Sequence, residues 1–199
     1  MDIWFSSDFH FHHTNIAGPK VSAWKHGYRD FDSVEQMNDV ILTNLNESIK
    51  ENDVLYFLGD FIFGPNKPEN AIKIRKEIKC KNIVGIRGNH DKPIWKPQIL
   101  SCLYSEWDKR IERKIGSKFF VLDHFNLNTY ENQGDGAIHL FGHSHGNLPD
   151  KEDALTLDVG VDTEWYGHKK YTPYHMDEIL EIIKKKVFKP VDHHNGDTQ

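Results

Sequence analysis

Short apolar runs, each followed at once by polar residues, recur along the chain. Runs of this length that are rich in valine, isoleucine and phenylalanine are typical of buried β-strands. They predict strands at residues 2–6, 54–58, 82–86, 118–122 and 137–141. The carboxyl ends of these predicted strands therefore carry clusters of aspartate, asparagine and histidine.

Helical periodicity occupies segments between and after the strands. The apolar pattern predicts helices at residues 33–50, 68–80 and 176–186. At the start of the first helix, Ser33 with Gln36, or Asp32 with Glu35, predicts a capping box. Because strands alternate with helices, we expect an α/β domain.

In open α/β sheets, ligands bind outside the carboxyl ends of the strands. The polar residues that follow the five predicted strands are Asp8 and His10, Asp60, Asn89 and His90, His124, and His143 and His145. We expect them to meet at one edge of the fold.

These residues have the chemistry of a metal site. Imidazole and carboxylate ligands together suit ions such as Zn²⁺, Mn²⁺ and Fe²⁺, and there are more of them than one tetrahedral ion needs. A carboxylate shared between two ions would explain the surplus. Two ions about 3.5–4 Å apart can clamp an in-line displacement at phosphorus, so a phosphate ester is the natural substrate.

Bulk composition narrows the class of protein. The 199 residues carry a formal net charge of −5, which argues against a general nucleic-acid binder. We expect one domain over residues 1–189 and a flexible C-terminal tail at 190–199. Two cysteines, no targeting segment and no run of about 18 apolar residues predict a cytoplasmic protein without a membrane span.

The order of the motifs resembles that of the calcineurin-like metallophosphoesterase superfamily. The motifs are DFH at 8–10, GD at 59–60, GNHD at 88–91, His124 and GHSH at 142–145. DFHFHHTNI at 8–16 and VGVD at 159–162 are similar to the small prokaryotic and phage-type branch. The resemblance implies a four-layer α-β-β-α sandwich, in which two mixed sheets face each other and helices flank them.

The resemblance also implies a role for each motif residue. The first metal ion would be held by Asp8, His10 and His145, the second by Asn89, His124 and His143, and Asp60 would bridge the two. A metal-bridging hydroxide would attack phosphorus in line, and the catalytic residues would be Asp60 and His90. His90 would be the general acid, and His90 and Asn89 would contact the substrate phosphate. His13 is a candidate for a supplementary phosphate contact, and a purely structural role for it is equally expected. Manganese is the favoured metal, and iron, zinc, nickel and cobalt also suit these ligands.

One position departs from the superfamily pattern. Many members have a second aspartate three residues after the bridging one, where it orients the general acid, but this chain has Phe63. Either Asp91 or a backbone carbonyl orients His90, or the acid is weaker than in relatives. Asp91 is equally expected to stabilise its turn.

A small phosphorylated substrate, such as a nucleotide, is the main interpretation, with monoester and diester cleavage both open. One alternative is a nuclease with a basic groove formed by Lys20, Lys25, Arg29, Lys169 and Lys170. A scaffold without catalysis is less favoured, because all seven ligands and His90 are present. Oligomeric state is left open.

Several other residues have two interpretations. Arg29 and Arg87 either bind phosphate or, more simply, form surface salt bridges. Asp158 and Asp162 are expected to organise the second sheet and its loop. The loop aromatics, which either stack on a nucleobase or pack over the core, are Trp24, Tyr28, Trp165, Tyr166 and Tyr171.

Overall fold

Strands and helices alternate along residues 1–24 and 29–189, the part of the chain that the computed structural model describes. The strands are β1 (Ile3–Ser6), β2 (Val54–Phe57), β3 (Asn82–Ile86), β4 (Glu106–Asp108), β5 (Arg110–Ile115), β6 (Lys118–Asp123), β7 (Ile138–Phe141), β8 (Thr156–Asp158) and β9 (Tyr174–His175). The helices are α1 (Thr14–Ala17), α2 (Val34–Ser48), α3 (Lys67–Glu77), α4 (Pro97–Leu103) and α5 (Met176–Lys184), with a 3₁₀ turn at Trp165–Gly167. Residues 190–199, the predicted tail, lie outside the described residues.

The strands form two mixed sheets. The first has the order β4-β3-β2-β1-β9, in which β1 to β4 are parallel and β9 is antiparallel to β1. The second has the order β5-β6-β7-β8, with only the β5–β6 pair antiparallel. The predicted α/β fold of two mixed sheets with flanking helices is confirmed.

Alternate residues of the first sheet belong to two separate cores. Leu55, Phe57 and Ile83 point to a core shared with α1 to α4. Phe5 and Tyr56 point the other way, into a core that the second sheet lines with Phe120, Leu122, Ile138, Leu140 and Leu157. Three isoleucines of α5 join this inter-sheet core. Burial of both faces explains why β1 to β3 appear in the sequence as continuous apolar runs.

The start of α2 is fixed by side-chain caps. The Ser33 hydroxyl accepts a hydrogen bond from the Gln36 backbone N–H at 3.0 Å. The Gln36 side chain in turn accepts the Asp32 backbone N–H at 2.6 Å. These contacts satisfy two donors at the helix start, so the Ser33–Gln36 capping interaction is confirmed.

All five predicted strands and all three predicted helices are present. The sequence pattern did not predict several elements that are short or rich in charged residues. The missed strands are β4, β5, β8 and β9, and the missed helices are α1 and α4. Strand β5 has the sequence RIERKI, in which Ile111 and Ile115 are buried and the charged residues line an edge. Two or three residues, as in β8 and β9, are too few for a periodic signal.

Both cysteines are free thiols, Cys80 buried and Cys102 exposed. Among the described residues, no helix is both long and apolar enough to cross a membrane.

His139 on β7 is a buried histidine whose protonation state is fixed by its partners. Its Nδ1 lies 2.9 Å from the Val121 carbonyl, which can only accept a proton. Its Nε2 accepts the Leu127 backbone N–H at 3.1 Å. The ring is therefore the neutral Nδ1–H tautomer. Burial is the main reason that its pKa is lowered to about 4.

We expect His139 to make the fold sensitive to acid. Its folded pKa lies below its unfolded pKa, so the unfolded state binds the proton first, and stability falls as pH drops from about 6.5 towards 4. Between pH 7 and 4.5 the contribution is about 2.5 kcal/mol. Urea unfolding of chelator-treated protein at both pH values should show His139→Gln losing less stability than wild type. Equal losses in the two proteins would contradict this assignment.

Candidate metal centre

The loops that follow β1, β2 and β7 are held together by hydrogen bonds that their backbone N–H groups donate. The Asp8 N–H donates to the Gly59 carbonyl at 2.9 Å, and the His10 N–H donates to the Asp60 carbonyl at 3.0 Å. The His143 N–H donates to Asp8 Oδ2 at 2.9 Å, which joins the second sheet to the first. The structure thus brings the predicted residues to one edge.

Left-handed backbone conformations aim the side chains inward. Positive φ values between 48° and 66° occur at Asp8, His10, Asp60, His143 and His145. This region costs a non-glycine residue on the order of 1 kcal/mol, and such strain concentrates at functional sites. The surrounding hydrogen bonds therefore hold five predicted ligands in a conformation that they would not adopt alone.

Two glycines permit the close approach of the loops. A Cβ on Gly88 would lie 2.1 Å from Asp60 Oδ1, and one on Gly142 would lie 2.4 Å from Asp8 Oδ2. Any other residue would push the two carboxylates away from the edge.

Asp8, His10 and His145 form a first group of potential ligands. Asp8 Oδ1 lies 3.8 Å from His10 Nε2 and 3.9 Å from His145 Nε2. Asp8 Oδ1 and both ring nitrogens of His10 are buried without a hydrogen-bond partner within the described residues. Buried polar atoms without partners are rare, and a cation between them would satisfy the oxygen and one nitrogen.

Asn89, His124 and His143 form a second group. The Asn89 Oδ1 atom lies 2.8 Å from His124 Nε2 and 2.9 Å from His143 Nδ1. Asp60 Oδ2 lies between the two groups, 3.5 Å from both His10 Nε2 and His124 Nε2. The seven residues predicted as ligands are thus gathered in two adjoining sets with Asp60 between them.

Asp8 is also close to the second set. One ligand atom each from Asp8, Asp60 and His124 lie within 4.8 Å of one another, as do those of Asp8, His10 and His145. Both carboxylates therefore sit near the middle of the cluster, whereas the sequence pointed to Asp60 alone as the shared ligand.

The titration behaviour of the cluster follows from burial and from the mutual charges. Burial raises the pKa of Asp8 to about 6, against the opposing charges of His145 and His124. Burial lowers the pKa of His124, but the hydrogen bond and charge of Asp60, the charge of Asp8 and the Leu58 carbonyl together outweigh burial and raise the pKa to about 9. For Asp60, contacts with His124 and the His90 N–H outweigh burial and lower the pKa. Buried carboxylates with imidazoles aimed at them suit divalent cations, so the donor set fits metal binding.

A buried ion pair supports the first group from behind. Arg29 donates from Nε to Asp162 Oδ1 at 2.7 Å and from a terminal nitrogen to Asp162 Oδ2 at 3.0 Å. Asp162 Oδ2 also lies 2.6 Å from His145 Nδ1, so it accepts the ring proton and fixes the tautomer whose Nε2 carries the lone pair that a metal ligand needs. Burial opposes the charge on Asp162, but Arg29 and His145 outweigh it and lower its pKa.

The sequence interpretations of Arg29 were wrong in one respect. Arg29 does form a salt bridge, but it is 2% exposed rather than on the surface. Its guanidinium also donates to the carbonyls of Asp8 and Phe9, so it is not available for phosphate. Arg29 and Asp162 are 133 positions apart, and no local pattern connects them.

Asp91 stabilises its turn rather than orienting His90. Its carboxylate accepts the backbone N–H groups of Asp60, Phe61 and Gly88 at 2.8–3.0 Å. It therefore holds the second and third motif loops together. Burial raises its pKa to about 6.

His90 is held by Phe63 and Lys67 instead. The Phe63 ring lies edge-on to the His90 ring with centroids 5.2 Å apart. The Lys67 ammonium lies 4.3 Å above the Phe63 ring and donates to the His90 carbonyl at 3.0 Å. The His90 N–H donates to Asp60 Oδ1 at 2.8 Å. Lys67 was not among the predicted site residues, because nothing in the sequence marks it.

His13 stacks on Phe63 with ring centroids 3.8 Å apart and lies 5.2 Å from the His10 ring. Burial, followed by the charge of Arg29, lowers its pKa to about 4. At neutral pH its ring is therefore uncharged. Its predicted contact with phosphate would then use a neutral N–H.

The remaining predicted residues have mixed outcomes. Asp158 accepts hydrogen bonds from Ser144 and from the backbone of Gly146 and Gly160, so it organises the loop after β7 as expected. Tyr171 packs on Phe31, with centroids 4.9 Å apart. Trp165 contacts the inter-sheet core, while Trp24 and Tyr166 are 43% and 46% exposed. Lys25 and Tyr28 lie outside the described residues.

We expect Asp162→Asn to weaken both metal binding and folding. His145 would lose the oxygen that fixes its tautomer, so Mn²⁺ affinity should fall about 10–100-fold. Arg29 would keep a buried charge without its counter-charge, so the free energy of unfolding should fall by about 3 kcal/mol. Calorimetric titration and urea unfolding measure the two effects. Asp39→Asn, on the exposed face of α2, is the matched control, and Asp162→Asn behaving like it would contradict the role given to Asp162.

The chain is similar in sequence to known proteins. The sequence matches the family model described as calcineurin-like phosphoesterase over residues 1–197. It is 33% identical over 186 residues to the uncharacterized protein MJ1445 of Methanocaldococcus jannaschii, covering 92% of each chain.

One solved structure is similar in fold, and a second gives a weaker match. A protein of unknown function, AQ665, from Aquifex aeolicus matches with a TM-score of 0.61 and 21% identity, covering 91% of this chain and 98% of that one. The Pseudomonas putida nuclease MPE matches with a TM-score of 0.44 and 21% identity, covering 72% of this chain and 60% of that one. The family match spans nearly the whole sequence, and the chain therefore belongs to the calcineurin-like phosphoesterases, a family of dinuclear metal-dependent phosphoesterases.

Proposed function

We propose that this chain hydrolyses a phosphate ester of a nucleotide or another small metabolite at the edge described above. The observation that carries the proposal is the position of Asp60 Oδ2, 3.5 Å from both His10 Nε2 and His124 Nε2. One carboxylate oxygen thus faces both ligand sets. Asp8, His10 and His145 would hold one ion, and Asn89, His124 and His143 would hold the other.

The proposed metals are two divalent ions, with manganese favoured. When bound, such ions act as Lewis acids on a phosphoryl oxygen and activate water for in-line attack. The mixed oxygen and imidazole donors suit Mn²⁺ and equally admit iron, zinc, nickel and cobalt. The expected cytoplasmic location of the protein stays a prediction.

His90 is the proposed proton donor to the leaving oxygen. It is partly exposed at the cluster, with its ring 5.6 Å from the His10 ring, so a substrate can reach it. Phe63 packs edge-on against its ring, and Lys67 holds its main-chain carbonyl by a hydrogen bond. The ring contact with Phe63, at the position of the superfamily's second aspartate, would limit rotation of the imidazole. Asn89 and His13 would add hydrogen bonds to the phosphate.

The nuclease alternative has less support from its predicted basic groove. Lys20 pairs with Asp30 and Asp32, Lys170 pairs with Glu164, and Arg29 is buried. Three of the five predicted cations are therefore paired or buried, and a fourth, Lys25, lies outside the described residues. The scaffold alternative has no support, because the proposed ligands and His90 are gathered at one edge.

The first test is metal content and turnover of wild type beside Asp60→Asn. Wild type should contain about two metal ions per chain by mass spectrometry and hydrolyse bis-p-nitrophenyl phosphate or p-nitrophenyl phosphate with added Mn²⁺. Because Asp60 faces both ligand sets, Asp60→Asn should lose metal and reduce turnover more than about 100-fold. Asp39→Asn serves again as the control. A wild-type protein that binds no metal and cleaves neither ester would overturn the proposed function.

The second test separates the acid from the ligands. His90→Ala should keep its metal and lose about 10²–10⁴-fold in kcat on phenyl esters, whose leaving oxygen needs a proton. The loss on p-nitrophenyl esters should be much smaller, since that leaving group departs as an anion. If His90→Ala loses metal, His90 is a ligand and its assignment as acid is wrong.

A further inference from the structure

A cavity of about 420 Å³ opens beside the second ligand set. Its lining residues are Arg87, Gly88, Asn89, Lys109, Asp123 and Phe125. Asn89 belongs to the metal centre, so a substrate bound there can extend into the cavity. A larger cavity of about 660 Å³, lined by residues 129–135, contains none of the proposed ligands.

The topology of the first sheet places two cations in this cavity. Strands β3 and β4 are parallel neighbours with Ile86 paired to Asp108, so Arg87 and Lys109 leave the same edge side by side. The Arg87 N–H donates to the Asp108 carbonyl at 3.2 Å, which keeps the pairing beyond the strand. Both side chains therefore border the space next to Asn89.

The two cations have no acidic partner within the described residues. No carboxylate oxygen of residues 1–24 or 29–189 lies within 4.0 Å of the charged nitrogens of Arg87 or Lys109. Asp123, the acid in the lining, is already engaged by Arg110 at 2.7 Å and by the Phe125 N–H at 2.9 Å. The cavity thus holds two cationic side chains that form no salt bridge within the described residues, in a chain with a net charge of −5. Such a pair favours an anionic group.

Phe125 supplies an aromatic surface at the same place. It is 44% exposed although it lies directly against the cluster, with ring centroids 4.6 Å from His143 and 5.1 Å from His124. The hydrogen bond from its N–H to Asp123 fixes the turn that carries it. An exposed ring beside cations is the arrangement on which nucleobases stack.

We propose that this cavity is a subsite for a nucleotide unit, with its base on Phe125 and a phosphate other than the scissile one at Arg87 and Lys109. The proposal rests on the proposed function, since the scissile phosphate lies at the metal centre. The substrate would therefore carry two phosphates on one nucleoside. That chemistry occurs in the end of a single strand and in a small bisphosphorylated nucleotide.

The test compares p-nitrophenyl diesters on the Mn²⁺-loaded full chain. Thymidine 5′-(p-nitrophenyl phosphate) should be cleaved with a kcat/KM at least about tenfold higher when it also carries a 3′-phosphate. Arg87→Gln with Lys109→Gln should bring this ratio close to one, while Lys114→Gln, an exposed lysine on β5, leaves it unchanged. A wild-type ratio within twofold of one, or a ratio that the double variant leaves unaltered, would overturn the subsite.

Phe125→Leu tests the stacking surface. It should lower kcat/KM for both thymidine esters about tenfold relative to methyl p-nitrophenyl phosphate, which has no base. Equal effects on all three substrates would remove Phe125 from the proposal.

A 3′-extended trinucleotide ester tests whether the bound nucleotide unit comes from a strand end or from a small bisphosphorylated nucleotide. Faster cleavage than the 3′-phosphate supports a strand end, and an equal rate supports a small nucleotide.

A binding measurement keeps the subsite testable if catalysis fails. If neither these diesters nor p-nitrophenyl phosphate is cleaved, the proposed function fails, and calorimetric titration of thymidine 3′-monophosphate into the purified full chain still examines the cavity. The double variant should then bind this ligand at least about tenfold more weakly than wild type and Lys114→Gln. Equal affinity in all three proteins would overturn the subsite as well.

Discussion

The carboxylate of Asp8 ties the two sheets together at one edge. The carboxylate oxygen Oδ2 accepts a hydrogen bond from the His143 backbone N–H, which belongs to the second sheet. The main-chain carbonyl of Asp8 accepts a hydrogen bond from the buried guanidinium of Arg29. Asp8 Oδ1 has no hydrogen-bond partner in the described part of the chain and faces His10 and His145. Asp8 therefore joins the loops of the two sheets through one carboxylate oxygen and can offer the other oxygen to a cation.

Strain and charge at this edge are balanced by groups outside it. Left-handed backbone at the ligands is held by hydrogen bonds from neighbouring loops, among them the three N–H groups that Asp91 accepts. The burial of Arg29 is offset by Asp162, which in turn sets the tautomer of His145. The precision of the cluster thus depends on residues that would not touch a substrate.

Sequence alone predicted the parts of the structure that have a strong local signal. Buried parallel strands give continuous apolar runs, and the motif order located the seven proposed ligands and His90. The sequence analysis missed β5, because its two buried isoleucines are separated by charged residues and give no continuous apolar run. It also missed the roles of Lys67 and Arg29, because contacts between distant positions leave no mark in a short stretch. The phenylalanine that replaces an aspartate was noticed, but its packing against His90 and Lys67 required coordinates.

The proposed ligands come from both sheets, with Asp8, His10, Asp60 and Asn89 on loops of the first and His124, His143 and His145 on loops of the second. A ligand that binds only the folded chain stabilises it in proportion to the logarithm of its concentration. Metal ions bound between the loops of the two sheets would therefore stabilise the packing of one sheet against the other. The lifetime of the protein in the cell would then follow the local supply of metal, and scarcity would remove the protein itself as well as its activity.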